Sequence, residues 1–204
     1  MALNSFMFHL VREFEQTIAG YFGAPYGVAT DCCTHALELC LRLTKPTSVA
    51  SPEWTCPSVP MTFIKLGLPW HWQDIKWTQN YTIPGTNIID AATQWQENSY
   101  QSSTFMCISF QHQKHLSLGR GGIILCDNAN DAQNLRKMSY DGRDTTSSWY
   151  DQDISSVGYH YYMTPETAQQ GLSKFESVRD QTPVIWNWEK YRYLPSLEVF
   201  NVSN

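Results

Sequence analysis

The chain has 204 residues, 42% of them hydrophobic and 16% charged, which is enough for a buried core and too apolar for a disordered chain. Fourteen lysines and arginines against nineteen aspartates and glutamates leave a formal charge of −5. No basic stripe interrupts that balance, so nucleic acid is excluded as a partner class. The opening MALNSFMFHLV carries no cationic leader, and no apolar run reaches membrane-spanning length, which predicts a cytoplasmic protein without a membrane partner.

In chain order, residues 6–22 repeat apolar positions at helical spacing and stop at Gly23. A short strand over 27–30 precedes a helix over 34–44, which Pro46 ends, and SVAS forms a second strand. After the turn-rich stretch 52–60, a helix covers about 58–66 and LPWHWQDI forms a third strand. Residues 76–85 read as loop. TNIIDAA, TFMCISF and GGIILCD are the fourth, fifth and sixth strands, followed by the helix NANDAQNLRKMSY with Asn or Asp at its cap. A polar, irregular stretch over 142–160 leads into a mostly helical segment from 164 to about 193, broken near Pro183.

Strands that alternate with helices predict an α/β fold, a mainly parallel sheet of about six strands covered by helices. Ligands on such sheets sit beyond the carboxyl ends of the strands. Here those ends carry residues 31–34, Trp54, Asp90 and 109–114.

Lys114 lies just past an apolar strand and before a Gly-rich turn, although most lysines are simply solvated. Asp90 ends the buried strand NIID, where a carboxylate needs a partner. A cationic pyridinium nitrogen would serve, and so would a role as a helix cap. Cys33 and Thr34 open a helix directly after a strand, where free N–H groups and the helix dipole attract anions. An ordinary cap by Thr34 explains the same residues. Trp54 follows a strand and could stack on a flat ring, though with eight tryptophans in the chain core packing is the default. The six cysteines form no C-x-x-C pair, and His112 and His115 have no carboxylate beside them, so no metal site is predicted.

Together these segments resemble the DegT-type sugar aminotransferases, in the fold type I, or aspartate aminotransferase, superfamily of pyridoxal-phosphate enzymes. FEQTIAGYFGAPYGVATDCCTHALELCL is similar to the opening helix, first strand and phosphate-binding turn. SPEWTCPSVPMTFIKLGLPWHWQDI is similar to the next strand, stacking residue, helix and third strand. NIIDAATQ matches the strand that ends in the pyridine-nitrogen aspartate, and SFQHQKHLSLGRGGIIL the Schiff-base lysine segment. MSYDGRD and VGYHYYMTPETAQQGLSKFE resemble the segments that follow.

The resemblance implies pyridoxal 5'-phosphate as cofactor, with Lys114 as the Schiff-base lysine and proton shuttle and Asp90 holding the pyridine nitrogen protonated. It implies stacking by Trp54, phosphate binding by Cys33, Thr34 and Ser109, and a contact from Thr93 to the ring hydroxyl. His160 would reach the phosphate of a neighbouring subunit in a homodimer. The implied reaction moves an amino group from an amino acid, usually glutamate, to a ketone on a nucleotide-linked sugar. Relatives that dehydrate such sugars carry histidine in place of the lysine, so Lys114 argues against that branch.

The resemblance also has gaps. The family's Gly-rich N-terminal segment has no counterpart before Phe6. Between Ile75 and Thr86 the family inserts a strand and a helix, so the central strand is expected to be missing and its two neighbours to pair directly. Most of the small C-terminal domain is expected to be absent. The division implied is a cofactor-binding large domain over 1–160 and a C-terminal helical extension over 161–204. Cys32 and Cys33 replace serine and glycine in the phosphate turn, His160 replaces asparagine and Tyr162 replaces arginine. Two alternatives follow: another pyridoxal-phosphate reaction on a small amine or amino acid, or a catalytically degenerate scaffold or partner subunit.

Overall fold

A computed structural model describes residues 2–200, with side chains from Phe8 onward. Helix α1 spans Ala2–Phe22, β1 Tyr26–Thr30, α2 Cys33–Thr44, β2 Val49–Pro52, α3 Ser58–Lys65 and β3 Trp70–Gln73. Strand β4 spans Tyr81–Thr82, β5 Ile88–Asp90, β6 Phe105–Ser109, β7 Gly122–Cys126, and helices α4 Ala129–Ser139 and α5 Pro165–Val178 follow. All six expected strands form, and the α/β class holds.

The sheet is mixed, not mainly parallel. Its five strands run in the order β1-β7-β6-β5-β4, and only β5 and β6 pair in parallel. The reason is that the chain returns through the loop 110–121 as an antiparallel neighbour of β6, and β7 is inserted between β1 and β6, so both its ladders are antiparallel. Strands β1, β5 and β6 still point the same way. Their carboxyl ends therefore face a common side, as the sequence reading required.

The expected direct pairing across the missing central strand does not occur. Strands β2 and β3 form a separate parallel pair, and the edge of β5 is taken by β4, from a stretch read as loop. One backbone bond, Ala50 N–H to Pro84 O at 3.2 Å, reaches from β2 to the residues after β4. Two residues are too few to show the period-2 pattern that marks a strand, so β4 was invisible in the sequence.

Alternation along the central strands fills two cores. Ile123 and Leu125 of β7, Met106 and Ile108 of β6 and Ile89 of β5 face α1 and α5, where Phe14, Ile18 and Phe175 pack. Ile124, Cys107 and Ile88 face the opposite layer with Leu39, Cys40, Phe63 and Leu135. The result is helices on both faces of one sheet. Glu15 pins α1 to this sheet: its carboxylate accepts the Ala29 N–H at 2.9 Å and pairs with Arg136 at 3.1 Å.

The C-terminal helix is shorter than its sequence suggests. Thr164 caps it by accepting the Thr167 N–H, with Pro165 in the first turn. It ends at Val178, before Pro183, and the chain turns back over the carboxyl side of the sheet in short 3₁₀ turns. Bonds from Gln79 N–H to Trp186 O (2.7 Å), Trp188 N–H to Trp77 O (3.1 Å) and Leu194 N–H to Glu53 O (2.9 Å) fasten this strap. Among the described residues no helix is long and apolar enough to cross a membrane.

Candidate active site

A cavity of about 360 Å³ opens at the carboxyl ends of the strands, within the size range of small-molecule sites. Cys33, Thr34, Asp90, Thr93, Ser109 and Lys114, six of the eight residues singled out in the sequence, line it.

Each is placed by a short backbone device. Lys114 sits in the loop between β6 and β7, which is closed by bonds from Phe110 N–H to Gly121 O and from Leu118 N–H to Phe110 O, both 2.9 Å. Its own N–H reaches Gln111 O at 2.8 Å, and its ammonium lies 5.0 Å from the centre of the Trp186 ring. Ser109 ends β6, and its hydroxyl accepts the Gln111 N–H at 3.3 Å. Asp90 ends β5, buried; Oδ1 accepts the Ala92 N–H at 3.1 Å and Oδ2 the Tyr81 hydroxyl at 2.7 Å. Burial raises its carboxyl above the ordinary value, while the Tyr81 and Ala92 bonds and the nearby Lys114 charge pull it back. Thr93 donates to Gln79 O at 2.7 Å.

Helix α2 begins at this cavity. Cys32 precedes it in extended conformation without a side-chain cap. The N–H groups of Cys33, Thr34 and His35 therefore come before the first intrahelical bond, Ala36 N–H to Cys32 O at 3.1 Å. Such N–H groups with the helix dipole form an anion site. The turn can lie this close to the sheet because residue 122 is glycine: a Cβ there would sit 2.5 Å from Cys33 N. Burial, then the Asp90 charge, pushes the Cys33 thiol well up, so it stays neutral beside the anion site.

Arg120, in the same cavity, supplies the basic residue that the helix turn lacks. Its guanidinium pairs with Asp31 at 2.6 Å, and Asp31 also meets His35 Nδ1 at 2.6 Å. Asp31, Cys32 and His35 are grouped closely enough to hold a metal, but the first and last are already engaged in these pairs. Arg120 lies inside the glycine-rich GRGG run after Lys114, and that arginine is the sequence signal for it. Tyr81, Trp77, Trp186, Lys190 and Tyr191 also line the cavity, and no sequence motif marked them.

Two expected residues lie elsewhere. The Trp54 ring packs against Trp188 and Tyr193, with the Lys76 ammonium 3.4 Å from its centre. Its carbonyl accepts the Trp77 indole N–H at 2.7 Å. Trp54 does not line the cavity; the aromatic side chains that do are those of Trp77, Tyr81, Trp186 and Tyr191. His160 is exposed at the surface, its Nδ1 3.0 Å from Asp141.

A smaller cavity of about 100 Å³ lies beside Lys114, sharing Thr93, Ser109 and Trp186 with the first. Trp95 lines it, and its buried indole N–H has no hydrogen-bond partner.

These residues fit pyridoxal phosphate. A primary amine, a buried carboxylate and a glycine-cradled helix N-terminus with an arginine beside it suit an aldehyde, a ring nitrogen and a phosphate on one small molecule.

Solved structures share the fold. AtS13 from Actinomadura melliaura superposes with a TM-score of 0.75 at 21% identity, over 84% of this chain and 61% of that one. The sugar aminotransferase CalS13 from Micromonospora echinospora gives 0.70 at 19%, over 83% and 60%. DesI, solved in the presence of its TDP-sugar product, gives 0.64 at 21%, over 83% and 53%. The chain thus spans about three fifths or less of these proteins' lengths. No curated protein matches it by sequence. The sequence pattern of one family does match, over residues 5–78 and 90–184, and it passes over the stretch that holds β4. With that match across most of its length, the chain belongs to the DegT/DnrJ/EryC1/StrS aminotransferase family.

Proposed function

We propose that this protein is a pyridoxal-phosphate-dependent aminotransferase that moves an amino group from an amino acid, glutamate first among the candidates, to a keto group on a nucleotide-linked sugar. The observation that carries this reading is the convergence of Lys114, Asp90 and the α2 N-terminus on one cavity. Family membership supports the reaction type. The sugar substrate is suggested by CalS13, a sugar aminotransferase, and by the TDP-sugar product of DesI.

Pyridoxal phosphate, when bound, supplies an electron sink at the carbon that gains or loses the amino group. Lys114 would hold the aldehyde through its amine and, once displaced, carry a proton at the substrate carbon. Asp90 would keep the ring nitrogen protonated. The N–H groups of Cys33 and Thr34 would hold the phosphate with the Ser109 hydroxyl and the Arg120 guanidinium. Thr93 would contact the ring hydroxyl. The stacking role would pass from Trp54, which does not line the cavity, to the rings of Trp77, Trp186 and Tyr191, which do.

His160 is exposed and does not line its own cavity, which suits the contact with a neighbouring subunit expected of a homodimer with shared sites. The division into a cofactor-binding body over 1–160 and a C-terminal extension over 161–204 belongs to the same reading. So does a cytoplasmic setting, consistent with cysteines that are all free.

The test is an absorbance spectrum with added pyridoxal phosphate, before and after borohydride, followed by peptide mapping. The expected result is a visible band, lost on reduction, with the adduct on Lys114. Lys114→Ala removes the band, the adduct and transamination together. A Lys114→Ala protein that retains activity refutes the reading; wild-type protein that takes up no cofactor moves the scaffold alternative ahead.

A further inference from the structure

Tyr81 belongs to the segment that the family pattern passes over, between residues 78 and 90. It is buried on β4, the edge strand of the five-stranded sheet, and its backbone pairs there with Asp90 of β5. Its hydroxyl lies 2.7 Å from Asp90 Oδ2 and 2.7 Å from Thr55 Oγ1.

A phenol has one proton to give. With that proton on the Asp90 carboxylate, the Thr55 hydroxyl must donate to the Tyr81 oxygen, so the three groups form a directed chain: Thr55 to Tyr81 to Asp90. Together with the Ala92 N–H on Oδ1, this surrounds the carboxylate with donors and opposes the burial that favours its neutral form. Burial and the Asp90 charge push the Tyr81 phenol well up, so it remains a donor.

We propose that Tyr81 is a positioning residue that holds Asp90 as an aimed carboxylate for the protonated nitrogen of the cofactor ring. This rests on the cofactor reading above and assigns a partner to Asp90 that the family match does not cover. Tyr81 touches the carboxylate and acts through it.

The test compares wild-type protein with Tyr81→Phe and Thr55→Val, following tryptophan fluorescence on titration with two probes. One is pyridoxal phosphate; the other is its carbocyclic analogue, in which a C–H replaces the ring nitrogen. Tyr81→Phe keeps the ring that packs near Trp77 and removes only the hydroxyl. Its dissociation constant for pyridoxal phosphate should rise by about tenfold, the size expected for a hydrogen bond to a charged group, while that for the analogue stays within about twofold. Thr55→Val should shift the same preference by a smaller factor.

If Tyr81→Phe weakens both probes alike, or neither, the proposal is overturned, because the hydroxyl then acts on the cavity and not through the ring nitrogen. Wild-type protein that binds neither probe overturns the cofactor reading as well. Thermal midpoints of the cofactor-free variants, expected to stay close to wild type, separate this effect from misfolding.

Discussion

Asp31 is held from two sides, by the Arg120 guanidinium and the His35 imidazole, and His35 lies flat on Tyr161 with ring centres 3.6 Å apart. Burial works against a charge on His35, but the bonds to Asp31 and then Cys32 outweigh it and raise the imidazole from 6.5 to about 9. A raised histidine stabilises the fold fully below its unfolded value and loses that contribution as pH climbs through the folded one. Wild-type protein should therefore lead His35→Gln in thermal midpoint below pH 6.5 and lose that lead above about 9. A lead that stays constant across the range would mean that the pair is neutral. At this scale the sequence was legible wherever chemistry is rare: a lysine after a buried strand and an aspartate ending one stand out against their surroundings. Tyr81 was not legible, because an isolated tyrosine in a polar stretch gives no sign that folding buries its hydroxyl against a carboxylate.

Elements with a long periodic pattern, such as α1 and α2, were readable to within a few residues, and so was the fully buried apolar run of β7. The return strap was not. Residues 179–194 carry apolar residues that suit a helix, but Pro183 denies it a backbone donor, and the bonds to Trp77, Gln79 and Glu53 are long-range. The anchor of the strap is Leu194, 2% exposed. Leu194→Ala should cost about 2–4 kcal/mol by leaving a cavity. Hydrogen exchange should then quicken at the amides of Gln79 and Trp188 while those of β6 and β7 keep their protection. Uniform acceleration would instead make the strap part of the global folding unit. Because Trp186, Lys190 and Tyr191 reach the cavity from this strap, its loosening should also weaken cofactor binding.

For the molecule as a whole, the stretch around Trp149, Tyr150, Ile154 and Val157 exposes large apolar side chains, Tyr150 at 78% and Val157 at 77%. Aromatic anchors of this kind are typical of interface centres. In the homodimer reading, sedimentation velocity should give a dimer, and Tyr150→Glu should raise its dissociation constant by at least about tenfold. A wild-type monomer at the concentration of full activity would remove the shared site and leave His160 without a cofactor role.

The division into two sheets reaches further than architecture. Lys114, Asp90 and Ser109 stand on the five-stranded sheet, whereas Thr55 and Ser58 follow β2 of the smaller pair. The Thr34 hydroxyl meets Ser58 across that boundary at 3.1 Å. The cavity straddles a fault line where a continuous ladder would otherwise run. A molecule seated there acts as a rivet between the two parts, and the free energy of its binding is added to their cohesion. Ligand binding in the cavity should therefore raise the thermal midpoint, and without the ligand the contact between the two sheets should be among the first to loosen.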